Sequence, residues 1–345
     1  MNTRILSRTA AQSAERNKTV PFTPWISGIA AVLSWALVAA LMILWPDKQV
    51  GFAPPRFGRE THQLVAGFAL LLLLVVLLEH LPWTRRAIGP VSRPLRRASR
   101  WLIALAALAA LWEISTAKLA WLPVPFFPPP RALVEAYATD GYRLADSVLH
   151  SLRLLALGFI FGSLSGFVTG VAIGWSRGLG YWVHPILRFL GPVPSTALLP
   201  ISLYFFSSSF SAAVFLIALA AWFPVTVLTW SGMVGVDSRY YDVARTLGAS
   251  QPFLILRVAV PAALPHVFVG LFMGLGASFS VLVAAEMMGV KAGLGWYLQW
   301  AQGWAAYANM YGALIVMAII FSSLITLLFA ARDRLLAWQT NGVKW

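Results

Sequence analysis

Apolar residues run through this chain in long uninterrupted stretches, separated by short segments that carry most of its prolines and arginines. A helix needs about 20 apolar residues to cross the hydrocarbon of a bilayer. Eight runs reach or approach that length: Trp25–Trp45, Leu64–Leu81, Trp101–Trp121, Leu149–Gly174, Ala197–Phe210, Ser211–Met233, Val267–Val290 and Tyr311–Ala331. They predict an all-α, polytopic membrane protein. The fifth run is short, and Pro192, Pro194 and Pro200 interrupt its start, so a broken or tilted segment that begins earlier is expected there.

The polar segments set the orientation. With the N-terminus inside, the inside segments hold 18 Lys and Arg against 7 outside, leaving Arg153 uncounted. That bias places both termini in the cytoplasm. Residues 1–24 read as a cytoplasmic tail and 25–82 as a two-helix membrane extension. Residues 83–100 read as a basic, proline-rich cytoplasmic linker, and 101–345 as a six-helix unit.

Composition narrows the class. Hydrophobic residues make up 59% of the 345, charged residues only 11%, and mean hydropathy is +0.74. A soluble domain carries about 25% charged residues, so lipid must cover part of this surface. The net charge of +14 sits in clusters between apolar runs, the pattern of an orientation signal and not of a nucleic-acid site. There is no cysteine, which excludes disulfides and thiolate metal sites. The first apolar run is longer than a signal-peptide core and has no small-residue cleavage site behind it, so it reads as retained.

The most informative polar segment follows the sixth run, over residues 237–265. Tyr240–Leu247 predicts a short amphipathic helix, and Gly248 is placed to end it with a left-handed residue. Ser250 is placed to cap a second short helix, Gln251–Val260, which Pro261 is expected to end. Two short helices on the cytoplasmic side offer a rigid knob to a partner's groove. An ordinary interfacial connector would look the same at this level.

The spacing of this segment resembles the coupling loop of ABC importer permeases: Glu-Ala-Ala, three residues, Gly, nine residues, then hydrophobic-any-Leu-Pro. Here it reads Asp242-Val243-Ala244, Gly248, and Val258-Ala259-Val260-Pro261, with Asp for Glu, Val for Ala and Val260 for Leu. Four further stretches resemble the nitrate/taurine/aliphatic-sulfonate branch of that family. They are Leu111-Trp-Glu-Ile with Phe127-Pro-Pro-Pro-Arg131, Gly191-Pro-Val-Pro194 with Leu199-Pro200, Ala284-Ala-Glu-Met-Met-Gly289, and Gly293-Leu-Gly-Trp296. The resemblance covers Trp101 to the C-terminus. It implies a type I importer permease core in a bacterial inner membrane, working as a homodimer beside ATP-binding ABC subunits and a periplasmic substrate-binding protein. The cargo would be a small anion such as a sulfonate, taurine or nitrate. It also implies that Tyr241, Asp242, Ala244, Arg245, Thr246, Leu247, Gly248, Ala249 and Pro261 couple to the ATPase. ATP would then be bound by the partner, leaving this chain no cofactor and no catalysis of its own.

Other features bear on the pathway. Gly158, Gly162, Gly166, Gly170 and Gly174 recur every four residues and leave one helix flank without side chains. That flank serves either static packing, which is common in membrane helices, or a sliding or dimer interface. Gly270, Gly274 and Gly276 invite the same choice. Ionisable residues inside a membrane need a reason. Arg153, one turn into the fourth run, suits an anion or snorkels to headgroups. Glu286, near the outer end of the seventh run, is placed to partner an Arg, help form a gate or reach water. With Pro194 and Trp296 these two are the candidate pathway residues. Glu113 lies within the third run, and Glu79 near an interface. The aromatic segment Trp296, Tyr297, Trp300, Trp304, Tyr307 and Tyr311 reads as interfacial anchoring, or as a docking face or pathway lining for a substrate with an apolar part.

No catalytic constellation is visible. His62, His80, His150, His184 and His266 lack metal-ligand spacing. There is no phosphate-binding Gly-x-x-x-x-Gly-Lys-Ser/Thr loop, so any ATP hydrolysis belongs to another chain. A self-sufficient secondary transporter of a small organic anion is the alternative. It would show inverted repeats and paired mid-membrane acids, and neither is evident. A membrane enzyme would need a polar cluster at one membrane face.

Overall fold

The computed structural model describes residues 25–48, 58–81, 84–191 and 193–339, and among these it contains helices, turns and no strand. The expected cytoplasmic tail, residues 1–24, lies outside the described residues, as do Pro192 and the C-terminal residues 340–345. Among the described residues seven helices are long and apolar enough to cross a membrane, or eight if one bent pair counts as a span. The chain divides into two compact units, the first taking residues 1–124 with 129–131.

In the first unit, α1 (Ile26–Leu44), α2 (Gly58–His80) and α3 (Arg85–Glu113) pack side by side. Trp25, Val32, Leu72, Val75 and Val76 form one buried cluster between them. Trp35 Nε1 donates to the Leu102 carbonyl at 3.1 Å, and Ser99 Oγ donates to Ser27 Oγ at 2.8 Å. The helix expected at Trp101–Trp121 therefore packs within this unit. The segment expected as a linker, 83–100, is helical from Arg85 onward. Its Arg-, Ala- and Leu-rich composition favours helix. Pro90 and Pro94, four residues apart, share an exposed face of this helix. Glu79 meets Arg96 at 3.7 Å.

Charged groups close the other end of this unit. Lys118, at the end of a π-helical turn (Ile114–Lys118), is 1% exposed. Its Nζ donates to the carbonyls of Met42 and Trp45 and to Asp47 Oδ1 at 2.6 Å, with Glu113 Oε1 3.7 Å away. Arg131 also bonds Asp47. Burial of charge is sustained only by such mutual pairing.

The second unit, residues 125–128 with 132–345, takes α4 (Pro130–Trp175) from Ala132 onward, a helix whose 46 residues extend about 69 Å. The run expected at Leu149–Gly174 is its second half. Leu133, Ala136, Leu144, Ser147, Ser151 and Leu154 continue one buried stripe back to Pro130. The fifth expected run is a pair of helices bent by 90°: α5 (Arg177–Leu190), then a short 3₁₀ turn (Ser195–Leu198) leading into α6 (Leu199–Phe205). Arg177 and Arg188, expected in a loop, belong to α5. Next come α7 (Ser209–Val234), α8 (Ser238–Thr246), α9 (Gln251–Met288), α10 (Leu294–Gly303) and α11 (Tyr307–Leu335).

Pro261 does not end a short helix. The helical run continues through a π-helical turn, Leu254–Ala259, into the apolar span. The wider turn changes the bonding pattern just where the proline removes a donor. The expected short helix Gln251–Val260 and the expected span Val267–Val290 are thus one helix.

The glycine stripe of α4 packs on α7. A Cβ on Gly162 would lie 2.2 Å from the Ala218 carbonyl oxygen, one on Gly166 2.8 Å from that of Trp222, and one on Gly170 2.5 Å from Thr229 Cβ. Thr226 Oγ1 donates to the Gly166 carbonyl at 3.2 Å across the same seam. Static packing inside the chain accounts for this flank. Gly270 and Gly274 of α9 meet the Val225 and Ala221 backbone in the same way, whereas a Cβ on Gly276 would make only ordinary contact with the Phe321 ring at 3.9 Å. Leu154, Leu155, Ala213, Leu216, Ile217, Leu282 and Ala285 complete a core between α4, α7 and α9.

Candidate functional site

The segment between α7 and α9 is an elbow built from local signals. Asp237 caps α8: its carboxylate accepts from the Arg239 backbone N–H at 2.9 Å and from the Arg239 guanidinium. Those side-chain and backbone bonds hold the Asp237 carboxyl below its ordinary range. At the far end Gly248 has φ +79°, the left-handed conformation expected of it. The Ala249 N–H donates to the Ala244 carbonyl at 3.0 Å and the Gly248 N–H to that of Arg245 at 2.9 Å, which satisfies carbonyls at the end of α8. Ser250 stands at the start of the next helical run, but it contributes its backbone carbonyl, which accepts from Leu254 N, and not its hydroxyl.

The two faces of α8 differ. Tyr241 packs inward, its ring 5.9 Å from that of Trp175 and against the cluster of Met233, Ala259 and Ala263. Burial raises the Tyr241 phenol above its usual value. No residue of α8 is fully buried, and Tyr240, Val243 and Leu247 are exposed, Leu247 at 83%. Their spacing of three and four places them on one helical face. Asp242, Arg245 and Thr246 are exposed beside them, with Arg245 3.5 Å from Asp242. The elbow is thus rooted by one aromatic and presents an exposed apolar stripe.

A second cluster joins two of the singled-out motifs. Glu286, 1% exposed, accepts from Ser151 Oγ at 2.6 Å and from the Gly295 N–H at 2.8 Å. Ser151 Oγ in turn accepts from the Leu294 N–H at 2.8 Å. Gly293 has φ +101°, and a Cβ there would fall 2.2 Å from Glu286 Oε1. Glu286 therefore pins the turn between α9 and α10 to α4, and its bonding partners are a hydroxyl and an amide, not an arginine. Arg153 lies in the middle of α4, exposed, its guanidinium 5.7 Å from the Phe210 ring. Trp296 is half-buried in a cluster with Leu144, Leu294 and Met317, and Pro194 is exposed ahead of the 3₁₀ turn. No hydrogen bond, ion pair or ring contact among the described residues joins these four candidates to one another.

The aromatic segment is α10 and the first turns of α11. Tyr297 donates from its hydroxyl to Asp140 Oδ2 at 2.8 Å and accepts from Asn309 Nδ2 at 2.8 Å, while Arg143 lies 4.6 Å over the Trp300 ring. Burial, reinforced by the Asp140 carboxylate, pushes the Tyr297 phenol up to about 12. The folded state thus holds a proton that the unfolded chain releases near pH 10. Its contribution is complete below pH 10 and is lost as pH rises towards 12. Thermal unfolding should drop by a Tyr297-dependent step of about 2–3 kcal/mol across that window, and Tyr297→Phe should abolish the step. An identical alkaline profile for the variant would refute it.

The family model for the "binding-protein-dependent transport system inner membrane component" matches residues 158–339, more than half of the chain and all of the elbow. The chain belongs to this family. It is an ABC transporter permease and an integral inner membrane protein. It is 30% identical over 258 residues to the nitrate import permease protein NrtB of Synechococcus elongatus, covering 69% of this chain and 87% of that one. A putative aliphatic sulfonates transport permease protein, SsuC of Bacillus subtilis, is 28% identical over 256 residues, 72% and 92% of the two chains. The bicarbonate transport system permease protein CmpB of S. elongatus is 33% identical over 194 residues, 56% and 67%. Among solved structures, an inward-facing MetNI methionine ABC transporter chain matches with TM-score 0.48 and 18% identity, over 59% of this permease and 98% of that chain.

Some site residues carried no sequence signal. Ser151 is an ordinary serine in a helical run, and Asp140 and Asn309 meet Tyr297 from helices far apart in sequence. Lys118 counted only as an outside charge. Its burial could be read only by knowing that Asp47 folds back on it.

Proposed function

We propose that this permease subunit carries a small anion inward and is driven by ATP hydrolysed on separate ABC subunits, with α8 as the coupling elbow. The observation that carries this reading is the exposed Tyr240–Val243–Leu247 stripe on a helix whose other face is rooted by Tyr241. Leaving apolar side chains in water is unfavourable, and a partner groove removes that cost. Asp242, Ala244, Arg245, Thr246, Leu247, Gly248 and Ala249 form or border the docking surface, and Pro261 with its π turn ties that surface to the α9 span.

ATP-driven closure of the partner would then move α9 through a rigid connection. The permease works as a pair of copies supplied by a periplasmic binding protein. Both termini lie in the cytoplasm, which requires the α5–α6 pair to count as one span. The cargo is a sulfonate, taurine, nitrate or similar anion, a class supported by the names of the relatives. The chain binds no cofactor and catalyses no reaction.

The test is co-purification. Val243→Asp with Leu247→Asp should lower retention of the ATP-binding subunit by more than about tenfold, while the variant stays monodisperse and folded. Full retention and unchanged uptake would refute the coupling role.

A further inference from the structure

Helix α5 lies antiparallel to the inner half of α7. The His184 ring sits 4.5 Å from that of Trp230, and the Gly191 backbone closes on Phe223, seven residues further along each helix. Phe223 is near the middle of the 26-residue α7, so α5 ends beside the middle of a helix long and apolar enough to cross a membrane. Between those contacts a cavity of about 540 Å3 opens, lined by His184, Leu187, Arg188, Phe223, Val227 and Trp230.

Two features set this cavity apart from a lipid-facing groove. A helix end leaves carbonyls without intrahelical partners, and Gly191 is exposed there. Hydrocarbon tolerates such backbone only where protein or water covers it. Arg188, one turn before that end, is exposed and has no ion pair among the described residues. An unpaired arginine inside a span marks an ion or substrate path.

We infer that this cavity is a station on the translocation path, for an organic anion whose acidic head meets Arg188 and whose apolar body lies on Phe223 and Trp230. This rests on the reading of the chain as an anion importer and narrows it: a compact inorganic oxyanion would meet the arginine but leave the aromatic walls untouched. A headgroup-anchored lipid does not fit, because its charge stays at the interface and its chains cannot bond the exposed helix end.

The test uses the full chain with its ATP-binding subunits in nanodiscs, labelled with the photoprobe 4-azidobenzenesulfonate. Label is expected on the α5 and α7 peptides that hold Arg188 and Trp230, competed by 4-toluenesulfonate and not by equimolar nitrate. Arg188→Gln should reduce labelling about tenfold, Arg188→Lys should keep most of it, and Trp230→Leu should weaken it while leaving the complex monodisperse. Unchanged labelling in Arg188→Gln, label elsewhere, or equal competition by nitrate would overturn the inference. Competition by phosphatidylglycerol in the disc as strong as by toluenesulfonate would reassign the cavity to lipid and overturn it too. ATPase retention, read in the same samples, separates the two levels. Retention without label removes the station and keeps the importer; label without retention removes the importer and the station with it, leaving only an acid-binding cavity.

Discussion

Gly162→Leu is expected to prevent accumulation of folded permease. A Cβ at this position falls 2.2 Å from the Ala218 carbonyl oxygen and 2.8 Å from Ala218 Cα. Both are backbone atoms of the opposing helix, so no rotamer change relieves the clash and α4 must back away from α7. That separation would also open Gly158, Gly166 and Gly170, which meet α7 along the same seam. Overpacking a well-filled core costs about 1–3 kcal/mol, occasionally more. Here the cost should reach or exceed the upper figure, because a whole helix pair moves. Gly141 in the same helix provides the control: nothing lies within 4 Å of its would-be Cβ, and Gly141→Ala should be neutral or stabilising by about 0.5–1 kcal/mol. The measurement is the monodisperse fraction and melting temperature in detergent. Equal behaviour of the two variants would mean that the α4–α7 seam is not close-packed in the membrane.

Glu286→Leu should be the other severe lesion. Its carboxylate is the acceptor for Ser151 Oγ and for the Gly295 N–H, both buried. Leucine strands both donors, at about 1–3 kcal/mol each, and loosens the turn that begins α10. Glu286→Gln keeps the volume and one acceptor oxygen, so it should retain most of the folded protein. If the leucine variant were as stable as the parent and only transport changed, Glu286 would be a pathway group and not a structural pin.

The helical class and the elbow were legible because their signals are local. Hydropathy marks the lipid-embedded part of each helix, and a glycine after an amphipathic turn marks a C-cap. What hydropathy does not see is helix beyond the lipid. Pro130–His150 is polar enough to read as a loop, yet it carries the same buried stripe as the span that follows. Proline misled in both directions. Pro90 and Pro94 sit on an exposed helical face, and Pro261 is absorbed beside a π turn, while the prolines around Leu190–Leu199 do accompany a break. The long-range pairs were out of reach. Glu286 and Ser151 are 135 residues apart, and Lys118 and Asp47 are 71. Nothing near either residue announces its partner. Arg188 was counted as a loop charge because its helix was not foreseen.

Because the chain has no cysteine, Val243→Cys introduces a unique thiol on the exposed face of α8. Short bifunctional thiol crosslinking of the assembled transporter, with single cysteines placed around the groove of the ATP-binding subunit, should give one dominant adduct whose yield changes between ATP-bound and ATP-free states. A thiol that forms no adduct, and that reacts with water-soluble maleimide equally with and without the ATP-binding subunit, would contradict the coupling role of the elbow.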